Sequence, residues 1–154
     1  MDLRLRKKSN RRLAVLMSFL CYGNLWAAPN WERQADCSLV SAPQVINDGY
    51  QETRVQLRLD NRALTVITES NIDFRPSTTG LSVDNGELLP AALGESDTRL
   101  LFTGNVSRIV DMFIAGNSAE VRLYFWPTWP ETGQKTVRFS LTGFTRTYRE
   151  QSCH

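Results

Sequence analysis

Few residues in this chain are of types that do chemistry, and their positions restrict what chemistry is open to them. The single histidine is His154, at the last position, so a Ser–His–Asp arrangement has no internal imidazole to draw on. No Gly-x-Ser-x-Gly elbow, phosphate loop or dinucleotide fingerprint occurs. Acids are plentiful, and a carboxylate pair for glycoside hydrolysis can meet from anywhere in a fold, but no pair is singled out by position. The expectation is a protein without enzymatic activity and without a cofactor. Three cysteines occur, at Cys21, Cys37 and Cys153. With His154 they do not make a closed four-ligand zinc site, so no metal is expected. Cys21 lies in an apolar N-terminal stretch. Cys37 and Cys153 then remain as an even pair, which reads as a disulfide in an oxidising compartment; two free thiols are the alternative.

Two segments have the composition of binding loops. Tyr124-Phe125-Trp126-Pro127-Thr128-Trp129-Pro130 places two tryptophans and two prolines in five residues. A stiff aromatic loop of this kind stacks on sugar faces or anchors a protein partner; alternatively its indoles close an open end of the fold. Alternation along the preceding strand puts Trp126 on the polar face, which makes it the expected contact residue. Trp129, beyond the strand, is the expected cap. Glu69-Ser70-Asn71-Ile72-Asp73-Phe74-Arg75-Pro76 is the second segment. Asn71, Asp73 and Arg75 read either as recognition residues on a loop or as an Asx-type turn with Arg75 paired to an acid.

The N-terminal region bears on where these loops would work. Met1–Arg12 holds six of the 18 basic residues and one of the 16 acids. Leu13–Tyr22 follows as an uncharged apolar run, and then come the small residues Ala27 and Ala28. This is the order of a secretory signal peptide, here residues 1–27, with residues 28–154 as a single domain. A run this short argues against a permanent membrane anchor, since a span takes about 20 apolar residues. The remaining domain carries 12 basic and 15 acidic residues, so the basic balance of the whole chain is no argument for nucleic-acid binding. The expected location is the periplasm or the exterior.

Strands must position these loops. Thr53–Leu59 alternates Thr53, Val55, Leu57 and Leu59 against Arg54, Gln56 and Arg58, a strand with one wet face. Asp60-Asn61-Arg62 turns into Leu64–Thr68. Leu81–Asp84 and Arg99–Thr103 are short strands, and Asn85-Gly86 between them is a tight-turn signal. In Val106–Ala115 the apolar residues Val106, Ile109, Val110, Phe113 and Ile114 recur at helical spacing, with Gly116 as the stop. Glu120–Trp126 alternates again, turning Val121, Leu123 and Phe125 inward. Val137, Phe139 and Leu141 mark a last strand. Gly143–Gln151 reads as a short terminal helix with Phe144 and Tyr148 inward. Together these predict an antiparallel β-sandwich with one packed helix and a short C-terminal helix.

The layout also resembles a known family. Trp31 lies shortly before Cys37-Ser38-Leu39, Ser70-Asn71-Ile72-Asp73 sits among alternating strands, and Phe139-Ser140-Leu141-Thr142-Gly143-Phe144 closes the chain. In this it is similar to the invasion-associated locus B family of bacterial envelope proteins, although its second cysteine, Cys153, lies beyond the Gly-Phe. The resemblance implies a β-sandwich in the periplasm or envelope of a Gram-negative bacterium, without known catalysis, and supplies no functional residues. The functional expectation is an exported envelope protein that binds a protein or glycan partner. An inhibitor or immunity protein acting on a cell-wall-degrading enzyme is the alternative.

Overall fold

Alternation at Thr53–Leu59 becomes the central strand of the larger of two sheets. The computed structural model describes residues 28–74, 77–104, 106–127 and 133–150. Strand β4 (Glu52–Leu59) buries Thr53, Val55, Leu57 and Leu59 and turns Arg54 to solvent. It pairs with β5 (Leu64–Thr68) through a turn that Asp60 organises. The Asp60 carboxylate accepts hydrogen bonds from the N–H groups of Arg62 and Ala63 at 2.7 and 3.0 Å. Strands β1 (Trp31–Arg33), β2 (Leu39–Ser41), β3 (Gln44–Asn47), β8 (Ala92–Ser96) and β9 (Arg99–Phe102) complete this antiparallel sheet in the order β1-β2-β4-β5-β9-β8.

Strands β2 and β3 share one edge of β4. The first pairs with Arg58 and Leu59, the second with Glu52–Val55. Between them runs Ala42-Pro43, and proline has no N–H to continue a ladder. Ser41 bridges the interruption: the Leu57 N–H donates to its Oγ at 3.0 Å, and the Gln56 amide donates to its carbonyl oxygen at 2.7 Å.

The second sheet runs β11-β10-β6-β7, from β6 (Gly80–Val83), β7 (Leu89–Pro90), β10 (Ser118–Leu123) and β11 (Lys135–Ser140). Asp84 and Asn85 take left-handed backbone, φ 49° and 60°, in the turn that leaves β6. Leu81, Val121, Leu123, Val137 and Phe139 from this sheet and Val55, Leu57, Leu64 and Val66 from the first lie in one buried core. The architecture is the predicted β-sandwich.

Helix α1 occupies Val106–Ala115, the span expected from its periodicity, and buries Ile109, Val110 and Phe113. The Gly116 N–H closes its last turn on the Met112 carbonyl at 2.9 Å. Helix α2 (Phe144–Arg149) starts after Gly143, whose φ of 88° suits glycine. One aromatic cluster ties these elements together. The Trp31 ring lies 5.8 Å from Phe113 and 5.0 Å from Phe144, and those two rings are 5.2 Å apart. Tilted and edge-on contacts of this kind suit the ring quadrupoles. The Trp31 indole N–H donates to the Ser140 carbonyl at 2.9 Å, so its polar end is satisfied inside the core.

The sequence reading named no strand at β1, β2, β3, β7 or β8, and it carried β10 past Leu123, where the strand ends. Tyr124–Trp126 leaves the ladder and continues the alternation without it: Phe125 is buried and pairs through a single bridge with Ile72. Glu120 is a second difference. It shares a face with the half-buried Arg122, yet only 6% of its surface is exposed. The Arg138 guanidinium on the neighbouring strand lies across its carboxylate through both Nε and a terminal nitrogen.

Candidate functional site

Two of the segments singled out in the sequence meet at one end of the sandwich. The turn after β3 comes first. Asp48 accepts the N–H groups of Tyr50 and Gln51 on Oδ1, at 2.8 and 2.9 Å, and the Ser70 hydroxyl on Oδ2 at 2.5 Å. Only 6% of Asp48 is exposed. Burial pushes its carboxyl pKa upward, but the bonds from Ser70, Gln51 and Tyr50, with the charge of Lys135, outweigh that and hold it below the ordinary value of 3.8. The turn is thereby clamped to the segment that follows β5.

That segment is clamped in turn to the stretch leaving β10. The Trp126 N–H donates to the Asn71 carbonyl at 2.9 Å, and the Asp73 N–H donates to the Tyr124 carbonyl at 2.7 Å. Ile72 N–H reaches the Asp97 carbonyl at 2.6 Å, fixing the loop from its other side. The Tyr124 hydroxyl lies 2.8 Å from Thr78 Oγ1 and accepts a bond from the Gln134 amide at 3.1 Å. The Trp126–Pro127 peptide is cis.

What this scaffold presents to solvent is specific. The exposed large hydrophobic residues among the described ones are Val45, Tyr50 and Trp126, at 59%, 74% and 52%. Tyr50 and Trp126 stand on segments linked through the Asp48–Ser70 bond and the Trp126–Asn71 bond. Val45 stands on the outer face of the first sheet in a row with Arg54 and Glu69. Asn71 is exposed, while Asp73 is 4% exposed and faces inward. Of the expected contact residues, Asn71 and Trp126 are therefore brought together at the surface, and Asp73 is placed in the support beneath them. Arg75 and Trp129 lie outside the described residues.

Tyr50 was missed in the sequence. The available signal was Asn47-Asp48-Gly49, a turn composition between two alternating stretches, which places the next residue on a loop tip.

A second concavity lies at the opposite end of β4, a hollow of about 690 Å³ between Leu59, Asn61, Val106 and Tyr148. Its acids are already engaged. Asp60 holds the β4–β5 turn, and Asp36 accepts the Ser38 hydroxyl at 2.7 Å and pairs with Arg58. The Ser38 hydroxyl and N–H hold the Asp36 pKa below its ordinary value. Cys37, at φ 67°, lines the same hollow. Arg33 draws the chain end toward it, donating to the Glu150 carbonyl at 2.7 Å and to the Thr147 carbonyl. Cys153 lies outside the described residues, as do residues 1–27.

Among the described residues no three His, Cys, Asp or Glu side chains converge as metal ligands, and no helix is long and apolar enough to cross a membrane. The fold and this end define a β-sandwich with a clamped, aromatic loop surface. Compared with known proteins, the chain matches no family model, no curated protein and no solved structure.

Proposed function

We propose that this is an exported, non-enzymatic envelope protein that binds a protein or glycan partner through the end carrying Tyr50, Asn71 and Trp126. The observation that carries the reading is the pairing of exposure with anchorage. Two large rings stand in water at 74% and 52% exposure; the Trp126 backbone is bonded to Asn71, and the Tyr50 turn is tied to the same segment by the Asp48–Ser70 side-chain bond. Such loops lose little conformational entropy on docking, so more of the contact energy appears as affinity.

Export rests on the order of charge, apolar run and small residues in residues 1–27, and it makes the Cys37–Cys153 bridge the natural state of the pair. The Arg33–Glu150 contact supports that bridge, because it brings the flanks of both cysteines together. Kinship with the invasion-associated locus B family is proposed on Trp31 and Gly143-Phe144. In this chain Trp31 and Phe144 pack on each other at 5.0 Å.

The test is capture from envelope extract on the immobilised mature domain, identified by mass spectrometry, with Trp126→Ala beside the native protein. Retention of a protein or glycan by the native domain and its loss from the variant supports the reading. Equal retention by both removes this end from the function. A wall-lysis assay with lysozyme distinguishes the alternatives: protection by the domain supports an inhibitor, and clearing by the domain alone supports an enzyme.

A further inference from the structure

The Asn85-Gly86 pair has a chemistry beyond turning the chain, and we infer that Asn85 is a self-modification site that the fold holds shut. It is the one asparagine in the chain followed by glycine. Glycine has no side chain to shield its backbone nitrogen, so in an open chain the Gly86 nitrogen can attack the Asn85 side-chain carbon Cγ. A bond forms between that nitrogen and Cγ, the Cγ–Nδ2 bond breaks, and ammonia leaves with the proton that the Gly86 N–H gives up. Water, the only co-reactant, then opens the cyclic imide at either carbonyl. The product is an aspartate, or an isoaspartate whose main chain runs through Cγ.

The folded chain blocks this route. Asp84 and Asn85 stand at φ 49° and 60°, and the Gly86 N–H donates to the Val83 carbonyl at 2.8 Å. The turn is therefore of type I′, with Asp84 and Asn85 at its centre. The nitrogen that would attack is committed to Val83. Asp84 ties the turn to the start of β10: its Oδ1 accepts the Ser118 N–H and its Oδ2 the Asn117 N–H, each at 2.9 Å. The Asp84 N–H donates back to the Ser118 carbonyl at 3.0 Å. Beyond the turn, Glu87 pairs with Arg108 of α1 at 2.9 Å. Ring closure must break the Gly86–Val83 bond and loosen the turn from Asn117 and Ser118. Asn85 and Gly86 are exposed, so water is at hand and conformation is what protects the amide. Asn85 thereby records openings of the junction between β6 and β10. Each one long enough for ring closure leaves a new negative charge beside Asp84 and Glu87, and an isoaspartate also lengthens the main chain of the turn.

The experiment holds the purified mature domain at mildly alkaline pH, folded and in denaturing urea, and follows every asparagine by peptide mapping with mass spectrometry. In urea Asn85 should lose its amide before any other asparagine. In the folded domain the loss at Asn85 should be slower by about tenfold or more, because the rate is scaled by the fraction of time the turn is open. Asp84→Ala removes the acceptor of the Asn117 and Ser118 N–H groups. If the variant folds, its loss at Asn85 should be about fivefold or more faster than in the folded native domain, the factor that a lost charged acceptor ordinarily costs. If it does not fold, Asn85 should decay without urea at the rate seen in urea. Equal loss at Asn85 in the folded and urea-treated native domain overturns the inference, as does faster loss at another asparagine in urea. So does a folded Asp84→Ala that keeps its Asn85 amide as long as the native domain, or an unfolded one that retains it.

Discussion

The backbone N–H of Trp126 donates to the carbonyl of Asn71 across 2.9 Å, joining two segments 55 positions apart into one surface. Neither residue alone makes a site. Asn71 sits just beyond a strand of the first sheet and Trp126 just beyond a strand of the second, so the bond also spans the sandwich. Phe125 is buried beneath it on Ile72. The indole is thus held outward by the burial of its neighbour, and its orientation follows from core packing.

This separation of roles makes the first prediction. Trp126 is half exposed, so Trp126→Ala removes contact surface without opening a core cavity. Partner binding should weaken by ~1–4 kcal/mol if Trp126 is a hot spot, while the thermal melting curve stays where it is. A variant that unfolds would make the ring part of the support.

A second prediction concerns acid. Asp48, Asp36 and Asp84 each have a folded pKa below the ordinary 3.8. For Asp84 the donors are the N–H groups of Asn117 and Ser118. A carboxyl with a depressed folded pKa stabilises the fold fully above its unfolded value, and that stability is lost as pH falls through the folded value. Melting temperature should therefore be flat near neutrality and drop below about pH 4. Asp48→Asn should be less stable at pH 7 by about 1–3 kcal/mol, since three donors lose a charged acceptor. Its acid slope should be shallower but not abolished, because Asp36 and Asp84 remain. Melts of both proteins across that range, read by circular dichroism, decide it; parallel curves would exclude Asp48 as a source of the slope.

These predictions also mark what was legible in the sequence. Elements with one dry and one wet face were readable, because alternation at Thr53–Leu59 and helical spacing at Val106–Ala115 encode burial directly. Trp126 was readable on the same ground. Glu120 was not: its burial depends on Arg138 across the strand, and pairing is not written in local spacing. The meeting of Asn71 and Trp126 was hidden for the same reason. Tyr50 was hidden differently, because its exposure follows from Asp48 gripping its N–H, which in turn depends on Ser70 arriving from another strand.

The third prediction is covalent. Arg33, four positions before Cys37, is bonded to the carbonyl of Glu150, three positions before Cys153. That proximity allows the bridge expected from the cysteine pair. Protein prepared from the periplasm should resist alkylation at both cysteines until reduced, with intact mass as the measure. Cys37→Ser should then lose about 2–5 kcal/mol in denaturant unfolding. Two alkylated thiols without a reductant would rule the bridge out.

The last prediction turns on the space at Gly116. Replacing glycine by alanine where the backbone permits it ordinarily stabilises a protein by about 0.4–1 kcal/mol, through the unfolded chain. Gly116 does not share the positive φ of Gly104 or Gly143, so conformation alone would allow the exchange. Space does not. A Cβ on Gly116 would meet Val83 Cγ1 at 2.3 Å, the Met112 carbonyl oxygen at 2.9 Å and Leu141 Cδ1 at 3.2 Å. The helix end is pressed against the second sheet, and the Met112 carbonyl is the one that closes its last turn. Crowding should win, and Gly116→Ala should cost about 1–3 kcal/mol, as overpacking in a filled core does. Val83→Ala removes the nearest methyl. In that background Gly116→Ala should cost less, a coupling that a double-mutant cycle by urea unfolding measures directly. A stabilised Gly116→Ala would mean that α1 shifts freely on the sheet, and additive costs in the cycle would mean that Val83 is not the obstacle.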